Sequence, residues 1–340
     1  MSFTISIPDS LRQSVEAASG GRQTVLYDDL NYPSIMNIVP AFNVEDIDAD
    51  LGTGLHPAFI VNGVTKSEVY VGTFKANVHN GRALSLPGYD PTASVNFDTA
   101  KGYCTAKGTG WHMMTNWEAA ALALWCIKNG QPRGNTDYGR HHTSTHESGR
   151  RQDGIAPGTA SGTARTLNGS GPASWRHDGT MSGIDGLCGN IYERVDGMKL
   201  VDGKFYFPDD NYFTQAEASW KDQGVIIAED TGDKLGAAGT DTLHAGGGVS
   251  FGAWKGLTRT AAYAALSATI KNRFQQAMID PAFDSSNPIG NFYFNTTGEM
   301  IPIRLGNWNG AGAAGVAALN LTDPRASAYT ALGFRLAYIG

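Results

Sequence analysis

The chain has 340 residues, of which 43 are glycine, nearly twice the usual ~7%, while charged residues make up only 17% against a usual ~25%. Its 26 basic and 32 acidic residues leave a net charge of -6, the wrong sign for coating a phosphate backbone or an anionic lipid surface, so neither nucleic acid nor membrane insertion is expected. A hydrophobic fraction of 41%, with 7 tryptophans and 13 tyrosines, is enough to build a core and excludes wholesale disorder.

The start, Met1 to Ile7, lacks a basic patch followed by an apolar run, and the longest apolar stretch, Ala119 to Ile127, falls far short of the ~18 residues that span a bilayer. Asp9 and Ser10 are placed to cap a short helix through Leu11, Val15 and Ala18, stopped by Gly20 and Gly21, and a strand over Gln23 to Tyr27 follows. This unit is too short to bury a core alone. Residues 1–35 are therefore expected to be an attachment or oligomerisation segment, followed by one domain over 36–340.

Further on, β-type runs appear at Ala58 to Val61, Ser67 to Phe74, Val225 to Ala228, Asn291 to Phe294 and Phe334 to Tyr338. They are separated by stretches rich in Gly, Ser, Asn and Thr, which predicts a loop-rich α+β fold. Asp98 ahead of Thr99 to Ala106, with Gly108 as stop, predicts one helix. Thr115 and Glu118 form a capping-box pattern that opens a second helix ending at Gly130, with Trp117, Ala121, Leu124 and Trp125 on a single core face.

The polar run from Gly130 to Gly171 predicts a long solvated insertion loop. Within it His141, His142, His146 and Glu147 have the spacing of metal ligands on one helical face, but Thr143-Ser144-Thr145 and Ser148 to Arg151 are poor helix formers, so no metal site is expected. Cys104, Cys126 and Cys188 are an odd count at long spacings, which predicts reduced, structural thiols.

Three segments carry a resemblance. Gly110-Trp111-His112-Met113-Met114-Thr115-Asn116-Trp117-Glu118 resembles the strand-to-helix entry of the formylglycine-generating-enzyme branch of the C-type-lectin fold, and Gly183-Ile184-Asp185-Gly186-Leu187-Cys188-Gly189-Asn190-Ile191-Tyr192-Glu193 resembles that branch's G-x-x-D-x-x-G-N-V-W-E segment. Arg304-Leu305-Gly306-Asn307-Trp308-Asn309, continuing through Gly315-Val316, Leu319-Asn320-Leu321, Arg325 and Gly333-Phe334-Arg335, is similar to the variable region of proteins diversified by retroelements, a group that includes phage tropism determinants. The ordered set spans Gly110 to Arg335, about two thirds of the chain.

The resemblance implies a C-type-lectin-like fold of the formylglycine-generating-enzyme type, with a variable recognition segment at about 304–336. Positions matching the family's mutable asparagines are Asn309, Gly310, Ala313, Thr322, Asp323, Ser327, Tyr329 and Ala331, and each departure from Asn is reachable by changing the adenines of an AAC codon. These eight form the expected ligand-binding face, with Tyr329 as its aromatic anchor, while Trp117, Asn190, Trp308, Phe334 and Arg335 are expected structural anchors. Ahead of the strand Ile191 to Glu193, Gly189-Asn190 suits a tight turn, with the aromatic of that strand buried.

Enzymes of the resembling branch oxidise a cysteine with a reactive cysteine pair near their own C-terminus; this chain has no cysteine after Cys188, so no catalytic residues and no catalytic cofactor are expected. Structural calcium, which the branch binds through carboxylates and carbonyls, stays open. The expected function is receptor binding by a phage or prophage virion protein, in a tail fibre or tail tip. It would engage a host-cell surface protein or glycan, meet other virion proteins through its N-terminus and assemble as a homotrimer. The alternatives are a bacterial surface-display or effector protein with the same diversified fold, and a virion decoration protein that binds nothing.

Overall fold

Asp9 accepts a hydrogen bond from the Arg12 backbone amide and opens helix α1 (Ser10–Ser19), which Gly20 ends in the left-handed conformation at φ 62°. A computed structural model describes residues 9–229, 234–245, 249–253, 258–280 and 290–340. After α1, strand Gln23–Tyr27 pairs antiparallel with Pro33–Pro40, and the sheet continues through Glu68–Gly72 and Leu336–Tyr338 to Trp111–Met113.

The division expected near residue 35 thus falls inside a strand, and residues 23–27 form the edge of the sheet that also takes in the C-terminal strand. An isolated two-stranded ribbon is marginal in water. Joining this sheet leaves Val25 with no exposed surface.

A second sheet runs in the order Thr258–Arg259, Lys234–Ala237, Lys221–Ala228, Lys204–Phe207, Lys199–Val201, Glu299–Met300. The third, which carries the candidate site, runs Val249–Ala253, Asn291–Phe294, Leu319–Leu321, Ile303–Arg304, Tyr192–Arg194, Leu332–Phe334. The single strand expected over Phe334 to Tyr338 is two: the chain leaves the third sheet after Phe334 and enters the first at Leu336, with Arg335 at the crossover.

Helix α2 (Phe97–Thr105) is capped by Asn96, whose side chain accepts from the Thr99 amide at 2.9 Å. Asp98, the expected cap, lies in the first turn and accepts from Arg325 instead. The capping box of α3 (Asn116–Asn129) forms as expected between Thr115 and Glu118. Its core face extends around most of the helix: Asn116 to Leu124 and Cys126 are buried, and Trp125 is half-buried against His177. A helix enclosed by other elements has no solvent side to leave polar. Helix α5 (Ala268–Gln276) packs on α3, the short helix α4 (Ala261–Ala264) lies against strand Lys234–Ala237, and the rings of Trp117, Phe207 and Phe274 meet edge-on or tilted in the main core.

The segment 130–171 is not the solvated loop its composition predicts. Asn135, Thr136, His141, Glu147, Arg151, Thr166 and Asn168 are buried, and side-chain amides and guanidinium groups take over the pairing that regular structure would supply. Asn135 donates to the Ala164 carbonyl at 2.8 Å, the Gly139 amide donates back to its Oδ1 at 2.6 Å, and Arg151 reaches the carbonyls of Tyr138 and Thr159. All three cysteines are buried and unpaired.

Candidate recognition surface

Arg335, at the crossover between sheets, meets Glu193 in a two-pronged pair at 2.9 and 2.7 Å, and Lys75 Nζ approaches the same carboxylate at 2.6 Å. None of the three side chains is more than 1% exposed. Burial alone would raise the Glu193 pKa, but Arg335 and Lys75 hold it below the ordinary value. Arg335 also donates to the carbonyls of Gly72, Thr73 and Asp185, so one side chain ties the first sheet to the segment leading into the third.

Arg304 is equally buried and is held by Asn116 Oδ1 at 2.6 Å and the carbonyls of Ala277 and Met278 at 2.9 and 3.1 Å. Those carbonyls follow the C-terminal end of α5, where the helix carries partial negative charge. Burial draws the Arg304 pKa down to about 9, which keeps it cationic at neutral pH.

Asn190, in the left-handed conformation at φ 67°, accepts from Asn135 Nδ2 and the Thr166 amide and donates to the Thr166 carbonyl, pinning segment 130–171 to the third sheet. Trp308 packs with Ala164, Ile191 and Ala331, against Tyr138 and Tyr329. Phe334 is fully buried and stacks on Tyr103.

Two loops are held by these anchors. In the first, Gly306 sits at φ 78°, and a Cβ there would fall 2.4 Å from the Ala314 methyl, so the turn requires glycine. Asn309 at its tip is exposed, while Gly310 and Ala313 are half-buried. In the second loop Thr322, Asp323, Ser327 and Tyr329 are half-buried. Ala331, expected on the binding face, is instead buried at 7% exposure, because it directly precedes strand Leu332–Phe334 and its methyl fills the Trp308 cluster.

Arg325 fastens the middle of the second loop through Asp98, Glu217 and Glu299, and Arg165 fastens its end by donating to the Thr330 carbonyl at 3.0 Å. The Tyr329 hydroxyl donates to Asp323 Oδ2 at 3.2 Å, so the expected anchor is pre-set.

The third sheet adds residues that the sequence reading missed. Its register places Tyr293, Asn320, Ile303 and Arg194 side by side across four strands, and Tyr192, two residues from Arg194, shares their face. Tyr192 is half-buried, with Ile191 and Glu193 turned inward, so the expected buried aromatic is on the outer face. Burial, then Tyr293 and Asp323, pushes the Tyr192 phenol up to about 12. Burial, then Asp323 and Tyr192, raises Tyr329 further, so both phenols keep their protons at neutral pH.

Beneath them the solvent-inaccessible Arg194 donates through Nη2 to the Ser327 carbonyl at 2.5 Å. Burial lowers its pKa, and Asp323 opposes the shift. The face is thus neutral phenols and amides around one carboxylate with a buried counter-charge. Strand alternation in Tyr192-Glu193-Arg194 and Asn291-Phe292-Tyr293-Phe294 was the signal available for it.

The histidines of segment 130–171 do not share a helical face. His141 Nδ1 accepts from the Ser144 amide at 3.0 Å, His142 Nδ1 lies 2.8 Å from Thr136 Oγ1, and Glu147 is gripped by Arg133, whose hydrogen bonds pull its carboxyl down to about 2. Among the described residues, no group of three or more His, Cys, Asp or Glu side chains is gathered as a metal site.

No protein-family model matches the chain, and no curated protein matches it. Solved structures similar to the chain at low identity include the following two. PvdO from Pseudomonas aeruginosa is 12% identical over 93% of this chain and 97% of its own, with a TM-score of 0.36. The U1 variant of the major tropism determinant is 11% identical over 89% of this chain, with a TM-score of 0.33, and the match spans 62% of that protein's length.

Proposed function

We propose that the chain is a receptor-binding protein of C-type-lectin-like fold, of the formylglycine-generating-enzyme type, carried on a phage or prophage tail and presenting the 304–336 segment to a host-cell surface molecule. In this reading it is not an enzyme, needs no cofactor and works as a homo-oligomer that meets other virion proteins through its N-terminal part. The observation that carries the reading is the gathering of Tyr192 and Tyr329 around Asp323, with Tyr293 beside Tyr192, next to the exposed Asn309 loop, where half-buried Arg325 fastens the second loop and buried Arg335 the sheet crossover. Rigid aromatics with polar tips among small, adaptable neighbours make contact area at low entropic cost.

Asn309 and Ala328 are exposed, and arginines placed there would obstruct the face without entering the core. Fluorescently labelled full chain should bind at least one member of a panel of whole bacteria. The double variant Asn309→Arg/Ala328→Arg should lose that binding with stability changed by no more than ~0.5 kcal/mol. Undiminished binding by the double variant, or no binding across the panel, would count against the proposal.

A further inference from the structure

A cavity of about 530 Å³ lies where the turn after α1 meets strand Pro33–Pro40 and helix α3, a volume within the range of small-molecule sites. Val39, Phe42, Leu122 and Trp125 give it apolar walls, and Arg22, His177 and Asp178 are its charged and titratable side chains. None of the eight variable positions lines it.

The polar groups of the lining select the head group of a ligand. His177 Nδ1 accepts from the Ile184 amide at 2.8 Å, and burial lowers the imidazole pKa from 6.5 to about 4. At neutral pH the ring is therefore uncharged, with its one proton on Nε2. Neither that N–H nor the indole N–H of Trp125, whose ring lies 5.0 Å from His177, meets an acceptor among the described residues, and neither is sealed from solvent. Arg22, with a side chain 56% exposed, donates through Nη2 to Ser182 Oγ at 2.8 Å and leaves Nη1 without an acceptor among the described residues. Asp178 is already engaged, because both of its oxygens accept from the Thr180 hydroxyl and Oδ1 also accepts from the Thr180 amide. Its Oδ2 stands 3.9 Å from Arg22 Nε, too far for a hydrogen bond. The unpaired groups of Arg22, Trp125 and His177 are thus all donors, one of them cationic. A carboxylate supplies the matching acceptors and charge, and the apolar walls call for a hydrocarbon body behind it.

We infer that this cavity binds a small, free monocarboxylic acid with an aliphatic or aromatic body, its carboxylate facing Arg22 and the two ring N–H groups. Such a ligand touches the turn after α1, helix α3 and His177 at once, so it ties the N-terminal part to the core. Binding the folded chain alone, it raises the melting temperature. The inference stands apart from receptor binding, since the two sites share no residue.

Saturation-transfer NMR titrations of the full chain at neutral pH with octanoate and phenylacetate, each beside the alcohol of the same skeleton, octanol or phenylethanol, test the inference. At least one acid should receive transfer and bind about tenfold or more tightly than its alcohol, the margin expected of charge-assisted hydrogen bonds. Arg22→Gln, a change on an exposed side chain, should remove that preference and leave the alcohol bound as before. The Asn309→Arg/Ala328→Arg variant should keep the parent's preference, whether or not it adsorbs to cells. Transfer to neither acid, an acid bound no better than its alcohol, a preference that survives Arg22→Gln, or its loss in the Asn309→Arg/Ala328→Arg variant would overturn the assignment.

Discussion

Arg335 carries a full charge with no exposed surface, and its acceptors make that tolerable: two carboxylate oxygens of Glu193 and three backbone carbonyls. Removing the guanidinium leaves Glu193 buried with Lys75 alone. Arg335→Ala is therefore expected to cost roughly 3–5 kcal/mol, the range for breaking a buried ion pair. Arg335→Lys keeps the charge but not the planar fork and should recover only part of the loss. Urea unfolding followed by tryptophan fluorescence checks both, and a parent-like midpoint for Arg335→Ala would show that the crossover does not depend on the charge. Tyr329 belongs to the same scale: because its hydroxyl is already bonded to Asp323, less side-chain freedom remains to be lost when a ligand arrives.

At the scale of elements, two histidines make packing sensitive to acid. His56 accepts the Ala58 amide at Nδ1, so its Nε2 carries the proton and donates to the Gln276 carbonyl, joining the segment before Phe59 to the end of α5. Burial lowers its pKa from 6.5 to about 4, and burial does the same to His177 beside Trp125 on α3. In that window the unfolded chain holds more protons than the folded one, so stability is complete above pH 6.5 and is lost as pH falls toward 4. Melting temperature should decline across this range, and His177→Gln should flatten the profile. A parent profile that is level from 6.5 to 4 would contradict the assignment.

The elements legible in the sequence are those whose causes are local. Asp9 and Gly20 bound α1, and Thr115 and Glu118 start α3, through groups three or four residues apart. Segment 130–171 was misread because its polar residues find partners such as Asn190, which is 55 residues from Asn135. The same distance hid the face of the third sheet, where Arg194 looks like a surface residue until strand Leu332–Phe334 and the Ser327 carbonyl close over it. The break at Arg335 was equally invisible, since it exists only because the flanking strands pair in different sheets.

Over the whole molecule, the strength of the proposed attachment depends on how many copies act together. Of the eight expected binding positions only Asn309 is exposed, so in the proposed role one copy offers few strong anchors and firm attachment would call for several copies engaged at once. The N-terminal part offers a contact surface: strand Gln23–Tyr27 is a sheet edge, and Leu11 on the neighbouring helix α1 is 42% exposed. The homo-oligomer proposed above is taken as a trimer for the test that follows. A cut near Ser34 is a poor test, because it would sever strand Pro33–Pro40 and strip its neighbour from the sheet. Substitution in the full chain avoids that damage. Light scattering at micromolar concentration should give three times the 36.1 kDa chain mass, and Leu11→Glu should lower it toward one copy if α1 lies in the contact. An unchanged trimer in Leu11→Glu would move the contact elsewhere on the molecule, and a parent chain that scatters as a monomer would refute the oligomer itself.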